Sequence, residues 1–279
     1  MQTAARTEEH TFSAADGIRL FERSWLPEGA PKAALAIVHG YAEHSGRYAY
    51  AGEALAARGY AVHALDLRGH GRSDGTRAFV RSFDEYLTDL RAFLDRVRTG
   101  YPGTPIFLLG HSMGGTVVAL AAVVDHPAVD GILLSGPVTA RSAPRIFERL
   151  ISVSARVAPK LPLTKLSASA VSRDPEVVRL YDEDPLVYRG RMRVGLLAAM
   201  LRAARRVDSG IATMSLPALF MHGTADQLTS PEGSRDLYER AASSDKTLKL
   251  YDGLYHEILN EPERDEVIAD ITAWLDARR

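Results

Sequence analysis

The 279-residue chain reads as an α/β protein, with a mostly parallel central sheet flanked by helices. Three observations predict this. Short apolar runs alternate with helix-like stretches along most of the chain, as expected when strands are joined by helical crossovers. One such run, Ile106-Phe107-Leu108-Leu109, passes through Gly110-His111-Ser112-Met113-Gly114 directly into a helix-like segment. The composition is 46% hydrophobic, ample for the core of one large α/β domain.

In chain order, two strands come first, at 9–14 and 18–25, with Asp16-Gly17 as their turn. A strand at 35–38, a helix near 48–58 and a strand at 61–65 follow. Ser82-Phe83-Asp84-Glu85 has the form of a capping box with Ser82 as N-cap, and it opens a helix over 83–97. The run at 106–109, its helix and a strand at 131–135 come next. The chain closes with a strand at 216–221, a helix around 231–241, a strand at 248–251 and a helix over 262–277. The stretch 138–215 breaks this rhythm. It is longer than a simple crossover, rich in helix formers, and punctuated by Pro144, Pro159, Pro162, Pro175 and Pro185. It reads as a helical cap inserted before the late strands, leaving 1–137 and 216–279 as the core domain. Ile146, Leu150, Ile151, Val153 and Val157 recur at spacings that give one helix an apolar stripe. Two readings of the stripe stay open. It packs down on the main domain, or part of it faces outward as a lip for membranes or lipid droplets, with Arg145, Arg149 and Arg156 available to anionic headgroups.

Strand, sharp turn and helix with Ser112 at the apex form the nucleophile elbow of the α/β-hydrolase fold. Glycines two residues either side of the serine fit a turn too tight for side chains. A serine hydroxyl needs a base, and the base an orienting acid, in the chain order Ser, Asp/Glu, His. His126, His222 and His256 follow Ser112. His126 ends the elbow helix, a helix length away, and His222 closes an apolar run. His256 is late, loop-borne and after a strand, so it is the candidate base. Asp226, just past the end of a buried-looking strand, is the candidate acid; Asp236 falls within a helix, Asp245 in a polar turn, and Asp252 too near His256. The developing oxyanion needs two backbone N–H donors. Met113, after the nucleophile, is one; Tyr41, after His39-Gly40 at the end of the third strand, is the other. His39 itself precedes Ser112 and reads as structural.

These residues sit within motifs that resemble the monoacylglycerol lipase family, in the manner of its bacterial members. His39-Gly40-Tyr41-Ala42-Glu43-His44-Ser45-Gly46-Arg47-Tyr48 is similar to that family's HGxxEHSGRY segment. Asp66-Leu67-Arg68-Gly69-His70-Gly71-Arg72-Ser73, the elbow, His222-Gly223-Thr224-Ala225-Asp226 and Tyr255-His256-Glu257 follow in family order. The resemblance implies a serine hydrolase that cleaves a monoacylglycerol to fatty acid and glycerol without a cofactor. It assigns Ser112, Asp226 and His256 to the triad, Tyr41 and Met113 to the oxyanion hole, and Glu43 and Arg47 to the glycerol end of the site. Tyr41 departs from the small residue common at its position in mammalian members, and no Cys matches the thiols near their site. A lysophospholipase or a short-chain carboxylesterase would share the triad and oxyanion loop. A haloalkane dehalogenase would need Asp at position 112. A silent binding protein of this fold would usually lack a triad member, and all three are present.

The net charge of −1, without a Lys/Arg-rich block, gives no reason to expect a nucleic-acid partner. The absence of cysteine excludes disulfides and thiolate metal sites, and no metal site is expected. The Gly69–Gly71 pair lacks the third glycine of a dinucleotide loop. The N-terminal residues lack the apolar core of a Sec signal, and no run of about 18 apolar residues occurs. A cytoplasmic or peripherally membrane-associated chain is expected, with its oligomeric state open.

Overall fold

The computed structural model describes residues 5–142 and 144–279; residues 1–4 of the N-terminal stretch and position 143 of the expected cap lie outside the described residues. Strands β1 (Arg6–Ser13) and β2 (Arg19–Leu26) form an antiparallel hairpin. Gly17 in its turn has φ 82°, a left-handed conformation that glycine adopts without steric cost. The chain then alternates through β3 (Ala33–Val38), α1 (Ala49–Ala56), β4 (Tyr60–Asp66), α2 (Phe83–Gly100), β5 (Ile106–His111), α3 (Met113–Val124) and β6 (Gly131–Ser135). The capping box at the start of α2 is formed: Ser82 N–H donates to Glu85 Oε1 at 3.1 Å, and Ser82 Oγ accepts from Asp84 N–H at 3.2 Å.

After β6 the chain leaves the sheet. It builds α4 (Arg145–Val157), β7 (Pro162–Thr164), α5 (Pro175–Glu183), β8 (Met192–Arg193) and α6 (Val194–Gly210), with β7 and β8 as a separate small antiparallel pair. It returns for β9 (Ala218–Gly223), α7 (Pro231–Arg240), β10 (Lys246–Tyr251) and α8 (Arg264–Asp276). The main sheet has the order β1-β2-β4-β3-β5-β6-β9-β10. Every pairing from β4 to β10 is parallel; those of β2 with β1 and β4 are antiparallel.

Alternation along β3 divides the interior. Ala34, Ala36 and Val38 join the core beneath α2, α3 and α6, while Ala33, Leu35 and Ile37 join the one beneath α1 and α8. Both faces are covered, so β3, β4, β5, β6 and β9 are buried along their whole length, and apolar runs rather than alternating patterns mark them. β1 starts at Arg6, earlier than its apolar pattern. Its residues 6–8 are polar, and backbone pairing with Leu26, Trp25 and Ser24 recruits them.

Within the insertion, α6 packs against α3 and contributes Leu196, Ala199, Met200 and Ala203 to the main core. α4 touches the remainder chiefly through α6. Ile151 packs with Val194, Ala198 and Leu201, and Arg205 pairs with Glu148. Of the predicted stripe only Ile151 is buried; Ile146, Leu150, Val153 and Val157 are 68, 62, 59 and 85% exposed. Among the described residues, no helix is long and apolar enough to cross a membrane.

Candidate active site

The four loops of interest leave the carboxyl ends of β3, β5, β9 and β10, where open α/β sheets place their ligands. Strand order puts the Ser112 turn between the 39–43 loop on one side and, beyond β6, the Asp226 and His256 loops on the other.

Ser112 has φ 53° and ψ −118°, a strained conformation for a side chain other than glycine. The flanking glycines are sterically obligatory. A Cβ on Gly110 would overlap the Gly114 carbonyl, and one on Gly114 would overlap the carbonyls of Val38 and His39. Gly40 is needed for another close approach: its Cβ would stand 3.0 Å from Ser112 Cβ and 2.8 Å from Glu43 Oε1. Met113 is the first residue of α3, where backbone N–H groups have no intrahelical acceptor. Ser112, Met113, Tyr41 and His256 line one cavity of about 480 Å³, whose further wall includes Phe147, Leu166, Leu197, Met200 and Leu201 from the insertion.

The predicted His256 and Asp226 are brought together, with His256 Nδ1 2.6 Å from Asp226 Oδ2. Asp226 Oδ2 also accepts from Thr229 Oγ1 at 2.8 Å, and Oδ1 accepts the N–H groups of Leu228 at 2.7 Å and Thr229 at 3.0 Å. Sequence reasoning missed one partner, His222. Fully buried, it donates from Nε2 to Asp226 Oδ2 at 3.0 Å, while Nδ1 accepts from the Ser234 hydroxyl at 2.7 Å. The signal was the four-residue spacing from His222 to Asp226 across a strand end. Burial alone would raise the Asp226 pKa; the hydrogen bonds from His222 and His256 outweigh it and hold the carboxyl far below its ordinary value. Asp226 is therefore a carboxylate that fixes His256 with Nδ1 protonated and Nε2 free to accept.

His39 is buried as a structural group: Nδ1 donates to the Gly40 carbonyl at 2.7 Å and Nε2 accepts from Leu67 N–H at 3.0 Å. Burial lowers its pKa to about 3, so it stays neutral. His126 follows α3 with φ 48°, at the helix end rather than near Ser112. Glu43 and Arg47, expected at the glycerol end, do not line the cavity that holds Ser112. Both are buried in an ion network: Glu43 Oε1 accepts Gly40 N–H at 2.5 Å, and Arg47 Nη2 donates to Glu257 Oε2 at 2.5 Å.

The chain matches the family described as serine aminopeptidase, S33, over residues 29–263. It is 39% identical over 269 residues to a monoacylglycerol lipase of Mycolicibacterium smegmatis, covering 96% of each chain. To human monoglyceride lipase it is 37% identical over 273 residues, covering 95% of this chain and 89% of the human one. The crystal structure of Paleococcus ferrophilus monoacylglycerol lipase superposes with a TM-score of 0.81 at 31% identity, covering 98% of this chain and 100% of that one.

Proposed function

This chain belongs to the serine aminopeptidase (S33) family, alongside the monoacylglycerol lipases, and we propose that it too hydrolyses monoacylglycerols to fatty acid and glycerol. The observation that carries the reading is the cavity. It holds a strained serine and the Asp226-bound His256 on one wall and mostly apolar side chains on the other, within the size range of small-molecule sites.

Ser112 is the nucleophile. His256 Nε2 takes its proton as Oγ attacks the ester carbonyl, and Asp226 stabilises the imidazolium without accepting the proton. The N–H groups of Tyr41 and Met113 hold the oxyanion. His256 then protonates the departing glycerol oxygen, and water repeats the sequence on the acyl-enzyme. The segment 138–215 is the cap: α4 and α6 wall the acyl cavity through Phe147, Leu197 and Leu201. We infer that the outward stripe of α4, flanked by exposed Arg145, Arg149 and Arg156, rests on an anionic lipid surface from which substrate enters.

The test is fatty-acid release from 1-oleoylglycerol beside triolein and lyso-phosphatidylcholine, for wild type and Ser112→Ala. Preference for the monoglyceride, lost by several orders of magnitude in the folded variant, is expected. Equal or faster turnover of lyso-phosphatidylcholine overturns the substrate class. Failure of a fluorophosphonate to label Ser112 overturns the mechanism.

A further inference from the structure

Gly40 poses a mechanical problem. A Cβ there would crowd both Glu43 Oε1 at 2.8 Å and Ser112 Cβ at 3.0 Å, yet glycine is the residue least able to hold its own backbone in place. Its next peptide carries the Tyr41 N–H. Two residues on, Ala42 has φ 71°, a left-handed conformation unfavourable for alanine that persists only under external restraint.

The restraint is visible in Glu43. This carboxyl is 3% exposed. Its Oε1 accepts the Gly40 N–H at 2.5 Å and the Tyr48 hydroxyl at 3.0 Å, and its Oε2 lies 3.8 Å from Arg47 Nε. Arg47 also reaches the opposite loop, donating to Glu257 Oε2 at 2.5 Å under the Tyr181 ring, whose centroid is 4.7 Å from the guanidinium carbon. Glu257 directly follows His256 and accepts from Asn260 Nδ2 at 2.8 Å. Two carboxylates and one guanidinium are thus removed from water, an arrangement that apolar residues of similar volume often match or exceed in stability. Packing alone does not call for it.

We propose that Glu43, Arg47 and Glu257 form a buried brace between the two catalytic loops, with Glu43 as the positioning residue that sets the Gly40–Tyr41 backbone for oxyanion binding. The proposal rests on the roles given above to Tyr41 and His256. A charge-assisted bond replaces the steric restraint that Gly40 lacks, and the arginine transmits the position of one loop to the other. Glu43 does not line the cavity that holds Ser112; it acts on the Tyr41 N–H through Gly40, whose own N–H it holds.

The experiment compares Glu43→Gln and Glu257→Gln with wild type. It measures kcat and KM on 1-oleoylglycerol and affinity for a long-chain trifluoromethyl ketone, which forms an oxyanion on Ser112, against the unreactive methyl ketone of the same chain. For Glu43→Gln, kcat should fall about 10- to 100-fold with KM within about threefold. Affinity for the trifluoromethyl ketone should fall in parallel, and that for the methyl ketone should hold. Glu257→Gln should lose in the same pattern, and it carries the test alone if Glu43→Gln does not fold. A folded Glu43→Gln with kcat within about twofold of wild type overturns the brace, as do equal losses for both ketones. Wild-type protein inert to 1-oleoylglycerol and to fluorophosphonate would instead overturn the function on which the brace rests.

Discussion

Removing His222 tests how far the candidate acid depends on a residue that never meets substrate. His222→Ala deletes a donor to the Asp226 carboxylate at 3.0 Å, a bond to a charged acceptor worth about 1.5–3 kcal/mol. It also strands the fully buried Ser234 hydroxyl, which costs about 1–3 kcal/mol. Together these give a loss of about 4 kcal/mol. At about 2.1 cal/mol/K per residue, 279 residues unfold with an entropy of about 0.6 kcal/mol/K, so Tm should drop by about 7 °C. Asp226 keeps His256, Thr229 Oγ1 and two backbone donors, so kcat should fall only about 10-fold, against about 10³- to 10⁴-fold for Asp226→Asn. Calorimetry and steady-state kinetics on both variants and on Ser234→Ala, which keeps the Asp226 bond, provide the assay. A His222→Ala protein with Tm within about 2 °C of wild type and unchanged kcat refutes the reasoning.

Three further outcomes follow from the geometry. Burial and the neighbouring Glu257, opposed by Arg47, Gly40 N–H and the Tyr48 hydroxyl, raise the Glu43 pKa from 4.5 to about 7. The native state therefore binds this proton more tightly than the unfolded chain. Its contribution is fully present below pH 4.5 and lost as pH rises through about 7. Urea melts at pH 5 and pH 8 should show wild type losing that stability relative to Glu43→Gln; parallel pH dependences in the two proteins would contradict it. Leu150→Asp with Val157→Asp removes two exposed apolar groups from α4 and should cut cosedimentation with phosphatidylglycerol vesicles at least about 10-fold, whereas unchanged binding would clear α4 of lipid contact. Asp226→Asn should keep wild-type KM within about threefold while losing kcat; a matched rise in KM would place Asp226 in binding instead.

The elbow turn and most strand positions were legible because each follows from a local demand. Gly110 and Gly114 are imposed by contacts within one turn, and buried parallel strands must be continuous apolar runs. The spacing of His222 to Asp226 was a local signal that was not used, whereas the tie of its imidazole to Ser234, twelve residues away, was not legible, because it forms only once α7 has packed on β9. Glu43 and Arg47 stood out through motif resemblance, yet their direction depends on Glu257, more than 200 residues later. The stripe of α4 was visible as a period, but a period does not say which side of a helix meets protein. The short β7–β8 pair and the polar start of β1 are held by backbone bonds, which leave no pattern in side chains.

The thin attachment of α4 has a thermodynamic consequence. α5 is tied down by His44 to Asp184 at 2.8 Å, by Tyr181 over Arg47, and through Arg173 to Glu261 at 2.5 Å just before it. Among the described residues, α4 buries one isoleucine and shares one ion pair with α6. The insertion is therefore not a single cooperative unit. Sub-global opening that frees α4 leaves α6 packed on α3 in the main core, so amides of α4 should exchange with solvent at a lower free energy than those of α6, a difference that native-state hydrogen exchange reads.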